Sequence, residues 1–229
     1  MTTHEETTPV LVGAGQISAR EPDTERTPIG LVAEAARAAA ADCGVAGVLG
    51  QIQSLTCLNI LAPSYSDAPS TLARHLGIDP GERFYTPIGG NMGQWLVGYY
   101  ADRIAAGGLD CILIAGGEAL ATQMRGKGAG LSGVLDTATG EGPRLLGDDR
   151  EPTNSAEQRH GLNLPIQIYP LFEQALRGRY GLDPAEHRRM LGEFYARFNA
   201  VAVDNPRAWR RDPLSAADIA ERSPKNRMV

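Results

Sequence analysis

Cysteine is scarce, with three in 229 residues: Cys43, Cys57 and Cys111. The number is odd, no C-x-x-C occurs and no spacing suits a metal, which excludes a disulfide framework and fits a reducing compartment. Long apolar runs are also missing. No stretch approaches the roughly 20 residues that a membrane span requires. The opening segment Met1 to Thr8 is polar and acidic, unlike a secretory signal. The expectation is a soluble, cytoplasmic protein. Positive charge is not in excess: 22 Lys and Arg face 27 Asp and Glu, a net of −5, which excludes a general nucleic-acid binder. The four histidines, His4, His75, His160 and His187, are too scattered to mark a metal site. There is no G-x-S-x-G nucleophile elbow, because Gly130-Leu131-Ser132-Gly133 has the wrong spacing. No internal repeat or low-complexity tract occurs.

What is present is ordinary globular material, 42% hydrophobic and 21% charged. Its charge is uneven. Residues 171–229 carry 11 basic and 8 acidic side chains, a net of +3, against −8 for residues 1–170. A basic C-terminal third can meet phosphates or simply form a solvated helical surface.

Apolar runs and breakers divide the chain. Pro9 to Ala14 reads as a buried strand ending in glycine. Thr27-Pro28 opens an alanine-rich helix to Cys43, stopped by Gly44. Ile52 to Leu61 reads as a second strand, Pro69 to Leu76 as a helix before Gly77, and Arg83 to Thr86 as a third strand. Asn91 starts a helix that carries Leu96, Val97, Tyr100, Ala101 and Ile104 on one face, with Trp95 and Tyr99 beside it. Gly107-Gly108 ends it, and Cys111 to Ala115 is a buried strand followed by Gly116-Gly117-Glu118. Strand and helix alternate throughout residues 1–118, the pattern of a mostly parallel, helix-flanked sheet. Residues 123–164 have no clear period and read as a long loop region. A helix then runs from Pro165 to Tyr180. Asp183-Pro184-Ala185-Glu186 opens the next as a capping box, with Leu191, Phe194, Tyr195, Phe198 and Val201 on one face. Asn205-Pro206 breaks it, and Ser215 to Ile219 is a last short helix.

Few motifs carry chemistry on their own. Gly13-Ala14-Gly15 suggests a dinucleotide fingerprint, but Ser18 stands at the third glycine position and Arg20 to Arg26 separates the glycines from the first helix. Cys57 and Cys111 lie in apolar strands and read as inert packing thiols. Cys43 lies at a helix C-terminus, where the dipole disfavours a thiolate. His75 and His187 read as helix-surface residues, and His160 lies in the long loop. Ile88-Gly89-Gly90-Asn91-Met92-Gly93-Gln94 is the most informative stretch, because a strand–loop–helix junction points free amides at the loop. Two readings stay open there: a position suited to a thiolate, or a glycine turn that Asn91 merely caps.

Several of these stretches, in this order, resemble a known family. The opening Pro9 to Gln16, the junction before Asn91, the helix ending Ile104-Ala105-Ala106-Gly107 and the strand ending in Gly116-Gly117-Glu118 resemble the N-terminal half of thiolases. The stretches 164–181 and 196–206 resemble the loop domain of the sterol-carrier-type, acetyl-CoA acetyltransferase-like thiolases. The resemblance implies an α/β thiolase-like N-terminal half over 1–118, with a mainly helical loop domain over 119–229. It implies an acyltransferase that handles a coenzyme A thioester in lipid metabolism, by acyl transfer or Claisen chemistry, with no covalently bound cofactor. A non-catalytic acyl-CoA-binding or subunit-interaction protein is the alternative. Setting Gly93 and Glu118 on their family counterparts places the family's nucleophilic cysteine at Gly90, with Asn91 and Gly93 beside it. None of these can form an acyl-enzyme. His160, Tyr169, Gly116, Gly117 and Glu118 are implied as coenzyme A or substrate neighbours. The family's C-terminal half, with its histidine and second cysteine, has no counterpart in these residues. The apolar face of the helix at Asn91 is therefore expected to need that half or a second subunit, in a homo- or hetero-oligomer.

Overall fold

The computed structural model describes residues 8–19, 26–61, 65–125, 142–151, 153–224 and 226. Contacts divide the chain into two units, Met1–Asp149 and Arg150–Val229. The motif at 130–133, the loop residues 20–25 and the last three residues lie outside the described positions.

In the first unit α1 spans Pro28–Cys43. Thr27 caps it by accepting from the Gly30 amide, and Gly44 stops it at φ 73°. β1 is Ser54–Cys57, α2 Ala68–Leu76, β2 Glu82–Tyr85, α3 Met92–Ala105 and β3 Ile112–Ala115. After α4, Leu120–Arg125, a two-residue β4, Arg144–Leu145, joins the sheet. All pairings are parallel, in the order β3-β1-β2-β4. Strand–helix alternation thus yields the helix-flanked parallel sheet, because parallel neighbours require a crossover between them.

β1 is buried along its whole length, and its alternation sorts the two faces. Leu55 and Cys57 meet Ile29, Val32 and Ala33 of α1 and Leu72 of α2. Ser54 and Thr56 face the other way, where both hydroxyls meet Tyr100 of α3. That second face continues through Leu96, Leu109, Leu58, Ile112 and Ile114. Of the face expected on α3, Leu96 and Tyr100 are buried, Ala101 and Ile104 half-buried, and Val97 exposed.

Three first-unit expectations are corrected. Pro9 to Ala14 is not a strand: it pairs with no described strand, and Leu11 is 83% exposed. Its contact is instead with the second half of α1. A Cβ at Gly13 or Gly15 would stand 2.3 or 2.2 Å from the carbonyl oxygen of Ala39 or Ala35, and the Ala14 amide donates to Asp42. The glycines serve close approach to a helix. β3 is half-buried, not buried, because it is a sheet edge with a neighbour on one side. Cys111 precedes that strand rather than lying within it.

The second unit holds α5, Ser155–Arg159, α6, Pro165–Tyr180, α7, Pro184–Asp204, and α8, Ala216–Ala220. Gly181 ends α6, the expected break at Asn205 and start at Asp183 are present, and Ser215, expected as the first helical residue, is the cap of α8. The stretch expected as loop contains the end of α4, β4 and α5; α5 is opened by a full capping box between Asn154 and Glu157. α7 and α8 pack closely, since a Cβ at Gly192 would stand 2.4 Å from the Ala216 carbonyl oxygen. The apolar stripe of α7 is turned outward: Phe194, Tyr195, Phe198 and Val201 are exposed. His187 is not a surface residue. It is 5% exposed, with Nε2 3.1 Å from the Glu173 carboxylate, a partner supplied by α6. Among the described residues no helix is long and apolar enough to cross a membrane.

Candidate functional site

Strand order fixes where the crevice of such a sheet opens. From β1 the chain crosses to β2 on one side, then returns to β3 on the other. In such sheets the crevice opens beyond the carboxyl ends of the strands at the reversal, here β1 and β3. The residues gathered there follow β1 (Leu58 to Leu61), β2 (Thr86 to Gly90) and β3 (Gly116 to Glu118).

Glycine lets these segments close on one another. A Cβ at Gly116 would meet Leu58 Cβ at 2.8 Å, and one at Gly93 would lie 3.9 Å from Leu58 Cδ2. Leu58 therefore lies between the end of β3 and the first turn of α3. At Gly117 a Cβ would stand 2.8 Å from Val32 of α1. Gly116 and Gly93 thus approach the same leucine, and Gly117 packs against α1. Polar bonds tie the rim of the crevice. The Asn59 amide donates to Thr86 Oγ1 at 3.0 Å, the Ile60 amide to the Tyr85 phenol oxygen at 2.7 Å, and the Leu61 amide to the Glu118 carboxylate. The expected site residue Glu118 is exposed and holds the rim through that bond.

At the start of α3, Gly90 differs from Gly89. A Cβ at Gly89 would meet Asn91 Oδ1 at 2.8 Å, whereas one at Gly90 meets nothing within 4 Å. Asn91 occupies the cap position, but its side chain makes no capping bond, so the capping reading is not supported. The Met92 amide donates to the Gly89 carbonyl and the Trp95 amide to that of Asn91.

No thiol reaches this junction. Cys57 faces α1 and α2, and burial pushes its thiol up to about 12. Cys111, ahead of β3, is raised by burial, with Cys43 and Asp110 adding to the effect. Cys43 closes α1 at its C-terminal end. Among the described residues no group of three or more His, Cys, Asp or Glu is placed to hold a metal. The last two expected site residues belong to the second unit: His160 is the exposed residue closing α5, and Tyr169 is an exposed residue of α6 whose ring meets Phe172 at 6.4 Å.

Sequence reasoning did not single out Leu58, Asn59, Tyr85 or Thr86. Asn59 and Thr86, each just past a strand end, carried a usable signal, since polar residues there line the crevice of a parallel sheet. The glycine pair Gly13 and Gly15 lies on the C-terminal half of α1, away from that helix's free N-terminal amides. A phosphate bound there would gain nothing from them.

No protein-family model matches the chain, and no curated protein does. Among solved structures, the chain is similar to a monomeric SCP2-thiolase-like protein type 1 from Mycobacterium smegmatis. The identity is 30%, the TM-score 0.72, and the match covers 98% of this chain and 41% of that one. The chain has a thiolase-like α/β fold and spans less than half the length of the structure it resembles.

Proposed function

We propose that this chain is the N-terminal part of a thiolase-like acyltransferase assembly and binds an acyl-coenzyme A thioester at the crevice beyond β1 and β3. The observation that carries the reading is the open position at Gly90. It stands just ahead of α3, one residue before the cap position Asn91, with room for a side chain near an N-terminal dipole that favours a thiolate. Gly90 itself has no atom to carry an acyl group, so the chain's own role is to bind and orient the thioester. Acyl transfer or Claisen condensation belongs to an assembly that supplies a nucleophile and a base. Coenzyme A is the ligand in this reading, with no covalently held cofactor; Glu118 is the candidate neighbour on the first unit, and His160 and Tyr169 are candidates taken separately on the second.

The outward face of α3, where Trp95 and Val97 are exposed, calls for a cover. A second polypeptide segment with the role of the family's C-terminal half, or a second subunit, fits that need. A cytoplasmic location suits the three free thiols.

Gly90→Cys tests the reading. Incubated with acetyl-coenzyme A, the variant is expected to gain the mass of one acetyl group at position 90 while free coenzyme A is released. The wild-type chain is expected to gain none. A Gly90→Cys variant left unmodified at position 90, under conditions that acylate a free thiol peptide, would overturn it.

A further inference from the structure

Two of the three free thiols meet within the first unit. Gln53, just ahead of β1, fixes the first of them. Its amide donates to the Cys111 carbonyl at 3.0 Å, and its Oε1 accepts from the Asp110 amide at 2.6 Å and the Cys111 amide at 3.4 Å. Cys111 is thereby held in line with β3, one residue before that strand begins. Register sets its direction. Leu55 pairs with Leu113 and Cys57 with Ala115, and partners in register point to the same side of a sheet. Leu113 and Ala115 therefore face α1 with Leu55 and Cys57. Cys111, two places earlier in the same alternation, packs against that cluster too.

α1 brings the second thiol. Only residues 44–53 separate α1 from the start of β1, so α1 ends at the leading edge of the parallel strands and runs against their direction. Its early part lies at the far end of β3, where a Cβ at Gly117 would stand 2.8 Å from Val32. From Val32 to Cys43 the helix rises about 16 Å, and from Gly117 back to Cys111 a strand spans about 20 Å. The last turn of α1 thus arrives over Cys111. The thiols sense each other: burial raises Cys111 most, and charge on Cys43 comes next, ahead of the adjacent Asp110. Both are half-buried, within reach of small reagents, whereas Cys57 is buried. We propose that Cys43 and Cys111 form a reversible disulfide, a redox-responsive site that ties the end of α1 to the leading end of β3. The oxidant is a low-molecular-weight disulfide. The thiolate of one cysteine attacks it, forming a mixed disulfide and releasing one small thiol. The second cysteine attacks the protein sulfur of that mixed disulfide and releases the other. Two protein thiols give up two electrons and two protons, and the small disulfide is reduced to two thiols. A reducing compartment keeps the pair open, and an oxidising episode closes it. Closure ties off residues 44–110, which hold β1, α2, β2 and α3. The pair lies at the opposite end of the strands from the Gly90 junction and does not rest on the acyl-thioester reading.

The test is incubation of the full chain with oxidised glutathione at mildly alkaline pH, an acid quench and peptide mass spectrometry without reduction. The native chain is expected to yield the Cys43 and Cys111 peptides joined, lighter by two hydrogens than their sum, with Cys57 outside the link. Dithiothreitol should reverse the joining. The ratio of joined to glutathione-bearing protein is expected to be about tenfold or more higher in the native chain than in urea, because only the fold holds the two sulfurs close. Cys43→Ser and Cys111→Ser should each lose the link and leave glutathione on the remaining thiol of the pair. Glutathione retained on both Cys43 and Cys111 of the native chain overturns the proposal. So does a link found only between two molecules, a link no more favoured than in urea, or no reaction at either thiol. The wild-type comparison with urea needs no variant, so a serine variant that fails to fold leaves it intact. Failure of the Gly90→Cys variant to acylate, with the Cys43–Cys111 link formed, would count against the acyl-thioester reading alone.

Discussion

The phenol oxygen of Tyr100 lies 2.5 Å from Thr56 Oγ1, both side chains fully enclosed between α3 and β1. Ser54 Oγ stands on the other side at 2.8 Å, and burial holds the Tyr100 hydroxyl above the usual phenol range. This hydroxyl trio fixes α3 against the sheet and so fixes where Gly90 and Gly93 stand. Tyr100→Phe leaves Ser54 and Thr56 enclosed without that partner. It is expected to cost about 1–3 kcal/mol of unfolding free energy by urea titration. An unchanged midpoint would deny the trio that role.

Arg103, near the end of α3, grips Glu82 at the start of β2 through two bonds, of 2.6 and 3.1 Å. The bond from Arg103 holds the Glu82 carboxyl below its ordinary value, against a smaller opposing effect of desolvation. A lowered folded-state value means that the pair stabilises above the unfolded carboxylate value, about 4.3, and that its contribution is lost as pH falls through the lower folded value. Glu82→Gln should therefore flatten the acid limb of a stability–pH curve and lower stability at neutral pH. Parallel acid limbs in the two proteins would rule the pair out as a source.

Glycines 15 and 90 should respond oppositely to a methyl group. At Gly15 the added Cβ would drive into the backbone of α1, 2.2 Å from the Ala35 oxygen, and at Gly90 it would meet nothing. Gly15→Ala is expected to cost about 1–3 kcal/mol through overpacking, whereas Gly90→Ala should leave the melting temperature in place. Thermal scans of the two variants give the comparison, and equal shifts would contradict it.

Cys57 should be silent to alkylation. Its thiol is pushed up to about 12, so at a mildly alkaline pH almost none is thiolate. In native protein treated with iodoacetamide, peptide mass spectrometry is expected to find Cys57 unmodified, and urea should expose it. Native labelling as fast as in urea would contradict its burial.

Much of the sheet and its helices was legible because their ends are chemically marked. Thr27, Gly44, Gly77, Asp183 and Ser215 are local signals whose capping bonds lie within a turn of the residue. Asn154 with Glu157 was just as local, but the surrounding polar stretch hid it. The strand ends gave Gly116, Gly117 and Glu118 a common address, although not the bonds from Asn59 and Leu61 that tie the rim. What failed depends on distant partners. An apolar run such as Val10 to Val12 carries no mark of which surface it will meet, and here Gly13 and Gly15 commit the segment to α1. His187 looked superficial because its partner Glu173 lies 14 positions away on another helix.

α6 carries a further implication. None of its 16 residues is buried, although Ile166, Tyr169, Leu171, Phe172 and Leu176 line it. A helix that buries so little of itself shares little free energy with the rest of its own unit beyond the bond between Glu173 and His187 of α7. It follows its own shallow helix–coil curve, set by its length and the Gly181 stop. In hydrogen exchange, the amides of 169–180 would then report a local equilibrium, and covering this helix would convert that independent equilibrium into part of a single transition.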